Sequence, residues 1–599
     1  MNVSERIAKL RALMAERNID VYYVPNADDH MSDEYTADYY KCKSYLSGFS
    51  GDSGCTIVTK DFAGLWTDGR YFTQAEDELA GSEVELMRMR QAGVPDALDF
   101  AVDHTPEGGK LGFDGRVVSA RDAKSLAARL HHKNASLHID EDLTDLVWED
   151  RPSMPNEKIF VLDEKYTGES AKTRIARVRG KMQENGADAL VLTTLEDPCW
   201  MLNIRGNDIP CTPVPYAFAL VTDASVALYL HEGQCDEETA KYLADNGAVV
   251  KAYDAIYEDL HAMQNKVVWA DLSSMNTKLY EELAEGNNSV LDRPSPIEME
   301  RAIKNPVEQE NTRHAHIRDG VAMVRFIKWV KENVDKGDMT ELSAQDHLYA
   351  LREQGEGYIE PSFETIAAYQ ANGAMMHYTA TPEKFSAVEN RGFLLVDSGG
   401  TYKDGSTDIT RTISLGGLTD EEKKYYTLVL KGHLDLANAH FLYGTTGNNL
   451  DILARRPLWD LNIDYQCGTG HGVGHVLSVH EGPHGVRWGM QTRGKIVPLE
   501  PGMIVTDEPG VYLPHELGIR IENELLVQED AENFYGRWMS FEDLTFCPYD
   551  LDAIDPQYLD DANIAEINAY HKKVAEVLKP YLTEEENAWL AHETRELTR

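Results

Sequence analysis

Gly468-Thr-Gly-His471-Gly-Val-Gly-His475-Val-Leu-Ser-Val-His480-Glu-Gly-Pro483 is the stretch on which the reading of this chain turns. Glycines on both sides of His471 let its backbone approach a site closely. Two aspartates lie upstream, in Leu394-Leu-Val-Asp397-Ser-Gly-Gly400 and Ser406-Thr-Asp408-Ile-Thr-Arg-Thr412. Two glutamates lie downstream, in Val505-Thr-Asp-Glu508-Pro-Gly510 and Gly518-Ile-Arg-Ile-Glu522-Asn523. A carboxylate at the end of a buried strand is costly unless it is paired, hydrogen-bonded or bound to metal. One such residue would pass for a turn or a cap. Four of them in one cleft need a cation. Oxygen-rich ligation with one imidazole suits Mn²⁺, Co²⁺ or Zn²⁺ and disfavours a thiolate-type structural zinc site.

Other readings of the same stretch fare worse. His471 and His475 have the i,i+4 spacing of a helical zinc pair, but Gly-Val-Gly between them is poor helix and lacks the general-base glutamate of His-Glu-x-x-His. His475 is therefore expected to be a packing residue. The glycines of Gly468 to Gly474 are not in the Gly-x-Gly-x-x-Gly register, so no nicotinamide or flavin follows. Gly51-Asp-Ser53-Gly54 spells the core of a serine-nucleophile motif, yet only His30 precedes it, and it reads as a turn.

The bulk properties narrow the class. A chain of 599 residues, 42% hydrophobic, is long enough for several cores. No apolar run approaches the roughly 20 residues of a membrane helix, and the charged start Met1-Asn-Val-Ser-Glu-Arg-Ile is unlike a signal peptide. Seven cysteines, an odd number spread from Cys42 to Cys547, suggest no disulfide framework. A cytoplasmic protein is expected, without a membrane. The net charge of −43 speaks against a nucleic-acid partner and describes a solvated acidic surface that favours cationic ligands.

Two segments look like diverged copies. Residues 6–24 read as an amphipathic helix followed by a strand, and residues 174–192 repeat the pattern, with Ile7, Leu10 and Met14 matching Ile175, Val178 and Met182. Leu46-Ser-Gly-Phe-Ser-Gly-Asp52 has a counterpart in Leu202-Asn-Ile-Arg-Gly-Asn-Asp208. Duplicated α/β domains are expected, with boundaries at Pro152/Pro155 and between Pro294 and Pro306. A helix from Glu308 to Val330 should then open a strand-rich region, with Ile317, Val321 and Val324 inward. There the apolar runs Phe393–Val396, Ile504–Thr506 and Ile519–Ile521 each deliver an acidic residue at or beside one end.

At these residues the chain resembles the pita-bread metallopeptidases, and within them the long, three-domain cytosolic Xaa-Pro aminopeptidases. The resemblance runs over nearly the whole chain, through Leu65-Trp-Thr-Asp-Gly-Arg-Tyr71, Leu202-Asn-Ile-Arg-Gly206, Asn372-Gly-Ala-Met-Met-His377-Tyr, Lys403-Asp-Gly-Ser-Thr-Asp408, His471-Gly-Val-Gly and Val479-His480-Glu-Gly-Pro. It implies an α/β (α+β) protein: creatinase-like domains at 1–155 and 156–305, then a pita-bread catalytic domain with a C-terminal extension at 306–599. Two Mn²⁺ ions are implied, with Asp397 on one, His471 and Glu508 on the other, and Asp408 and Glu522 bridging. Glu508 would be general base for a water shared by the ions, which is the nucleophile. His377 and His480 match substrate-binding histidines, and Tyr512 and Arg520 match positions beside Asp397. The implied substrates are peptides with proline second, from which the first residue is released.

Cys467 departs from the pattern, because long-form relatives carry a histidine four positions before the metal-binding one. No substrate-binding role is carried over to that position, and oxidation sensitivity is a hypothesis for it. A homodimer is implied, with Phe534-Tyr-Gly-Arg-Trp538 as a candidate contact, intramolecular packing being the other reading of that stretch. The alternatives are a prolidase-like dipeptidase on the same fold and a catalytically silent pita-bread binding module. Both extra N-terminal domains and the stretch Trp538–Pro548 disfavour the first; five intact ligands disfavour the second.

Overall fold

The computed structural model describes residues 1–489 and 496–599. It forms two compact units, residues 1–162 with 169–297, and residues 163–168 with 298–599.

The first unit holds two six-stranded sheets of one design. Helix α1 (Val3–Arg17) starts at Asn2, whose side chain caps Glu5 N–H while Glu5 bonds back, and stops at Asn18 in the left-handed conformation. Ile7, Leu10 and Met14 are fully buried on its inner face, each contributing about 1.5–3 kcal/mol of hydrophobic stabilisation. Strands β1 (Val21–Pro25), β2 (Cys55–Thr59), β3 (Ala63–Thr67), β4 (Glu85–Arg88), β5 (Lys110–Gly112) and β6 (Ser136–His138) follow. They lie in the order β4-β3-β2-β1-β5-β6, with β1 antiparallel to β2 and parallel to β5.

Helix α2 (Ala171–Glu184) opens the second copy from its cap Ser170 and buries Ile175, Val178 and Met182. Its strands are β7 (Ala189–Leu192), β8 (Phe218–Thr222), β9 (Val226–Leu230), β10 (Ala248–Ala252), β11 (Val267–Ala270) and β12 (Ser289–Asp292). Their order is β10-β9-β8-β7-β11-β12, and β7 is antiparallel to β8 and parallel to β11. Strand order and sense therefore repeat across the two copies, so the helix-plus-strand similarity in the sequence reflects a whole repeated domain. The Gly51–Gly54 segment is a bend whose Ser53 hydroxyl donates to Asp68.

The second unit is α+β. Helix α3 (Pro306–Asn333) begins two residues before the sequence pattern suggests. Asn305 caps it, and Pro306 occupies the first turn, where its missing N–H costs nothing. Val321 and Val324 are buried, and Ile317 packs on the same core. Helix α4 (Glu341–Arg352) leads into a sheet ordered β13 (Ile366–Tyr369), β14 (Gly392–Ser398) and β15 (Ile409–Gly416). A second sheet uses β16 (Phe441–Leu442), β17 (Gly470–Gly472), β18 (Glu481–Val486) and β19 (Ile504–Asp507). The hairpin of β20 (Gly510–Leu513) and β21 (Leu517–Arg520) precedes its long last strands, β22 (Asn523–Asn533) and β23 (Gly536–Asp543). Its order is β16-β23-β22-β19-β17-β18. Buried Arg411 on β15 donates to the carbonyls of Glu522, Cys547 and Pro548, which ties the C-terminal region to the strand joint beside Glu522.

Candidate active site

Five acidic or imidazole side chains reach one buried point from separate elements of the second unit. Asp397 is carried by β14, Asp408 by the turn into β15, and His471 by β17. Glu508 follows the end of β19, and Glu522 sits in the joint between β21 and β22. The glycines beside His471 have a steric reason. A Cβ on Gly470 would lie 1.8 Å from the Thr506 carbonyl oxygen, so only glycine lets β17 lie this close to β19.

Carboxylate oxygens of Asp397, Asp408 and Glu522 lie within 4.8 Å of one another, and so do ligand atoms of His471, Glu508 and Glu522. Glu522 is common to both groups. His471 Nε2 is 3.5 Å from Asp408 Oδ2 and 3.6 Å from Glu508 Oε1. The same strand pair holds Glu508 by its backbone, whose N–H donates to the Thr469 carbonyl at 2.7 Å.

The donor set fits divalent cations. Burial first, and then the neighbouring charges of Asp397 and Glu508, push the Asp408 carboxyl far above its ordinary range. Burial, then Asp408 and Glu508, do the same to Glu522. Cations between these groups would remove both the repulsion and the proton uptake. Asp397 Oδ1 is buried without a hydrogen-bond partner, a cost of about 1–3 kcal/mol that a bound cation would offset. His471 Nδ1 lies 2.9 Å from the Gly472 carbonyl, which can only accept, so Nδ1 carries the hydrogen. In the neutral ring the lone pair is then on Nε2, on the side of Asp408 and Glu508.

Arg520 organises the carboxylates from behind. Its Nη2 donates to Asp397 Oδ2 at 2.6 Å and its Nη1 to the Tyr512 hydroxyl at 2.7 Å. Its Nε donates to Thr410 Oγ1 at 3.2 Å, and that hydroxyl donates onward to Glu522 Oε2 at 2.8 Å. Burial opposes the Arg520 charge, but Tyr512, Asp397 and Glu508 more than offset it. The sequence reading paired Arg520 and Tyr512 with Asp397 but missed Thr410. A threonine alternating along a strand is ordinary there; the only cue was its place between Asp408 and Arg411.

His480 faces the cluster. Its ring stands edge-on to His471 with centroids 4.2 Å apart, and a ring nitrogen lies within 4.8 Å of ligand atoms of Asp408 and His471. His377 is half-buried in a loop next to Met376, whose carbonyl lies 3.4 Å from Arg520 Nη2. His475 is buried among protein partners: Nε2 bonds the Tyr166 carbonyl at 3.0 Å, and Nδ1 lies 3.3 Å from Thr312 Oγ1. Strand β17 at His471 rules out the helical His471/His475 pair. Cys467 is half-buried and packs against the same core as Tyr512.

Fold and site together define the class, a metallopeptidase with creatinase-type N-terminal domains. Residues 310–529 match the metallopeptidase family M24, and 537–597 match the C-terminal region of peptidase M24. Residues 6–151 and 150–308 match two creatinase/prolidase N-terminal domain models. A probable Xaa-Pro aminopeptidase P of Laccaria bicolor is 38% identical, covering 99% of this chain and 93% of its own. One from Colletotrichum graminicola is 37% identical over the full length of both. The crystal structure of X-prolyl aminopeptidase from Caenorhabditis elegans, described as a cytosolic enzyme with a di-nuclear active site, covers all of both chains at 32% identity and a TM-score of 0.94. A Xaa-Pro dipeptidase from Bacillus anthracis is 25% identical with a TM-score of 0.50, and almost its whole length matches 64% of this chain. The chain belongs to the Xaa-Pro aminopeptidase P group of metallopeptidase family M24.

Proposed function

We propose that this chain is a dinuclear, Mn²⁺-dependent aminopeptidase that cleaves the bond between an N-terminal residue and a penultimate proline. The observation that carries the reading is the convergence of Asp397, Asp408, His471, Glu508 and Glu522 on one buried point. Full-length similarity to aminopeptidases favours it over a dipeptidase, which corresponds to only 64% of the chain.

In this reading Asp397 would help hold one ion and His471 and Glu508 the other, with Asp408 and Glu522 available to both. When bound, the two ions supply Lewis acidity that acidifies water and polarises the scissile carbonyl. Glu508 takes the proton of the attacking water and passes it to the prolyl nitrogen as the C–N bond breaks and the new C–O bond forms. His377 and His480 hold the peptide and steady the negative charge that develops on the carbonyl oxygen. Arg520, with Tyr512 behind it, keeps Asp397 aimed. A proline amide has no N–H and a rigid ring. A site that grips the carbonyl side of the bond can therefore accept what an amide-gripping peptidase cannot.

Three further assignments belong to this reading. Domain limits fall at 1–155, 156–305 and 306–599, with each sheet of the first unit as one domain. The location is the cytoplasm, by similarity to the cytosolic nematode enzyme; among the described residues no helix is long and apolar enough to cross a membrane. The enzyme is a homodimer, and the tip of the β22–β23 hairpin supplies a contact, since Phe534 and Tyr535 are 96% and 77% exposed. Light scattering should give twice the chain mass, and a monomer at working concentration would remove that assignment.

The test of activity is a mass-spectrometric digest by the metal-stripped protein with and without Mn²⁺. Arg-Pro-Pro should lose arginine only when Mn²⁺ is present, and the matched tripeptide with alanine second should stay intact. Cleavage confined to the dipeptide Arg-Pro would make the protein a prolidase, and no cleavage would make it a silent binding module.

A further inference from the structure

Glu341 is a buried carboxylate that the chemistry above does not use. It is the first residue of α4, behind the cap Thr340, and is 0% exposed. Its oxygens take four hydrogen bonds, all from one segment. Oε1 accepts from Tyr369 N–H at 2.7 Å and from Asn372 Nδ2 at 2.9 Å. Oε2 accepts from the Tyr378 hydroxyl at 2.8 Å and from Ser386 N–H at 2.6 Å. The Glu341 backbone N–H adds a bond to the Ser386 carbonyl at 3.1 Å. One carboxylate thus gathers both ends and the middle of the segment from Tyr369 to Ser386. Four acceptor positions meet four donors, so a carboxylate is the side chain that matches the set.

His377 lies inside that segment, between two anchors. On one side its neighbour Tyr378 is buried and tied to Glu341. On the other, its neighbour Met376 presents its carbonyl to Arg520, the residue that grips Asp397. The turn before it, Gln370–Ala374, rests on β21 with no room for a side chain, since a Cβ on Gly518 would lie 1.7 Å from the Gly373 carbonyl oxygen. The His377 backbone is therefore fixed from the Glu341 side and from the Asp397 side at once.

We propose that Glu341 is a positioning residue for catalysis: it locks the Tyr369–Ser386 loop so that His377 meets the peptide substrate in register with the carboxylates held by Arg520. This rests on the reading of His377 as a substrate-side residue. Displacing a catalytic wall by about 1 Å can cost about 100-fold in rate, so a carboxylate remote from the reacting atoms carries a large kinetic effect.

Glu341→Gln keeps the shape but replaces one acceptor oxygen with an NH₂ group that opposes two of the donors. In the full-length, Mn²⁺-loaded enzyme it should lower kcat/KM for Arg-Pro-Pro by about 100-fold, chiefly in kcat, with bound Mn²⁺ unchanged. Tyr378→Phe removes one of the four bonds and should cost about fivefold. The deciding readout is a double-mutant cycle with His377→Ala. On that background each substitution should change kcat/KM by less than about threefold, because the residue being positioned is gone. Should Glu341→Gln fail to fold, Tyr378→Phe carries the cycle alone. Wild-type kcat/KM in Glu341→Gln, or full multiplication of its effect on the impaired His377→Ala, overturns the proposal and leaves the aminopeptidase reading standing. Wild-type turnover by His377→Ala overturns the substrate-side role of His377 and this proposal together.

Discussion

In the first unit, Asp28, Asp29 and His30 are buried side by side, yet opposite chemistry meets them. Asp28 accepts from the N–H groups of His30 and Ser32 and from the Tyr216 hydroxyl. His30 lies 2.7 Å from the Thr193 carbonyl and 2.7 Å from the Tyr253 hydroxyl, and that hydroxyl reaches Asp29 Oδ2 at 2.7 Å. In the second unit, Asp408 and Glu522 are just as buried, but the groups they face are Asp397 and Glu508. Both regions cost desolvation energy. The first offsets much of it with donors from within the chain, although Asp29 Oδ1 has no hydrogen-bond partner and burial, then the Asp29 charge, raise the Asp28 carboxyl; the second gathers four carboxylates and leaves an Asp397 oxygen unpartnered. Donors that meet a buried carboxylate are architecture; four carboxylates left unbalanced round one point are built for something the chain does not contain.

The most severe way to probe that contrast is to remove a shared ligand. Asp408→Ala should lower release of arginine from Arg-Pro-Pro by at least about 10³-fold and reduce bound Mn²⁺, because the ligand proposed to serve both ions is lost. Near wild-type turnover in excess Mn²⁺ would overturn the ligand assignment. A smaller effect is expected one step back. Arg520→Lys keeps the charge but cannot bond Asp397, Tyr512 and Thr410 together, and should cost about 100-fold in kcat/KM. Activity within threefold of wild type would mean that Asp397 needs no such grip.

The unbalanced cluster was the legible part of the sequence. Asp397, Asp408, His471, Glu508 and Glu522 each stand in a short apolar or Gly-rich run, and their chemistry makes little sense singly. The repeated half was legible through α1 and α2, because amphipathic period and the following strand survive divergence. Strand order was not, since nothing local says that β1 pairs with both β2 and β5. Thr410 and Glu341 escaped for a related reason. A threonine on a strand and a glutamate in a first helical turn are what local propensity alone would put there. Only tertiary contacts, from Arg520 to Thr410 and from Tyr369, Asn372, Tyr378 and Ser386 to Glu341, give them their roles.

Metal removal should turn the contrast into a pH dependence. In the stripped enzyme Asp408 and Glu522 have carboxyl groups held above their unfolded values. The folded state then binds more protons than the unfolded state, and its stability falls as pH rises through that window. Bound divalent cations would take the place of those protons. The melting temperature lost on chelation should therefore be larger at pH 8.5 than at pH 6, read by calorimetry of paired samples. Asp408→Asn, which relieves the repulsion without metal, should melt above the wild type when both are stripped. A chelation loss that is flat with pH, together with a less stable Asp408→Asn, would show that the site is balanced without cations.

His30 in the first unit should respond with the opposite sense and a smaller size. Burial lowers the pKa of His30 below its ordinary value. Between its folded and unfolded pKa values the unfolded chain binds the extra proton, so the contribution of His30 is present above about pH 6.5 and is lost as pH falls below it. His30→Gln should cost about 1–3 kcal/mol at pH 7.5, from bonds to Thr193 and Tyr253 that glutamine does not reproduce. The deficit should shrink towards pH 5, where the wild type has itself lost part of that contribution. Turnover at 25 °C should stay within threefold of wild type, because no metal ligand is touched. A deficit that grows on acidification would mean that His30 is held as the imidazolium against Asp29, and the first unit would then hold a buried ion pair in place of a neutral relay.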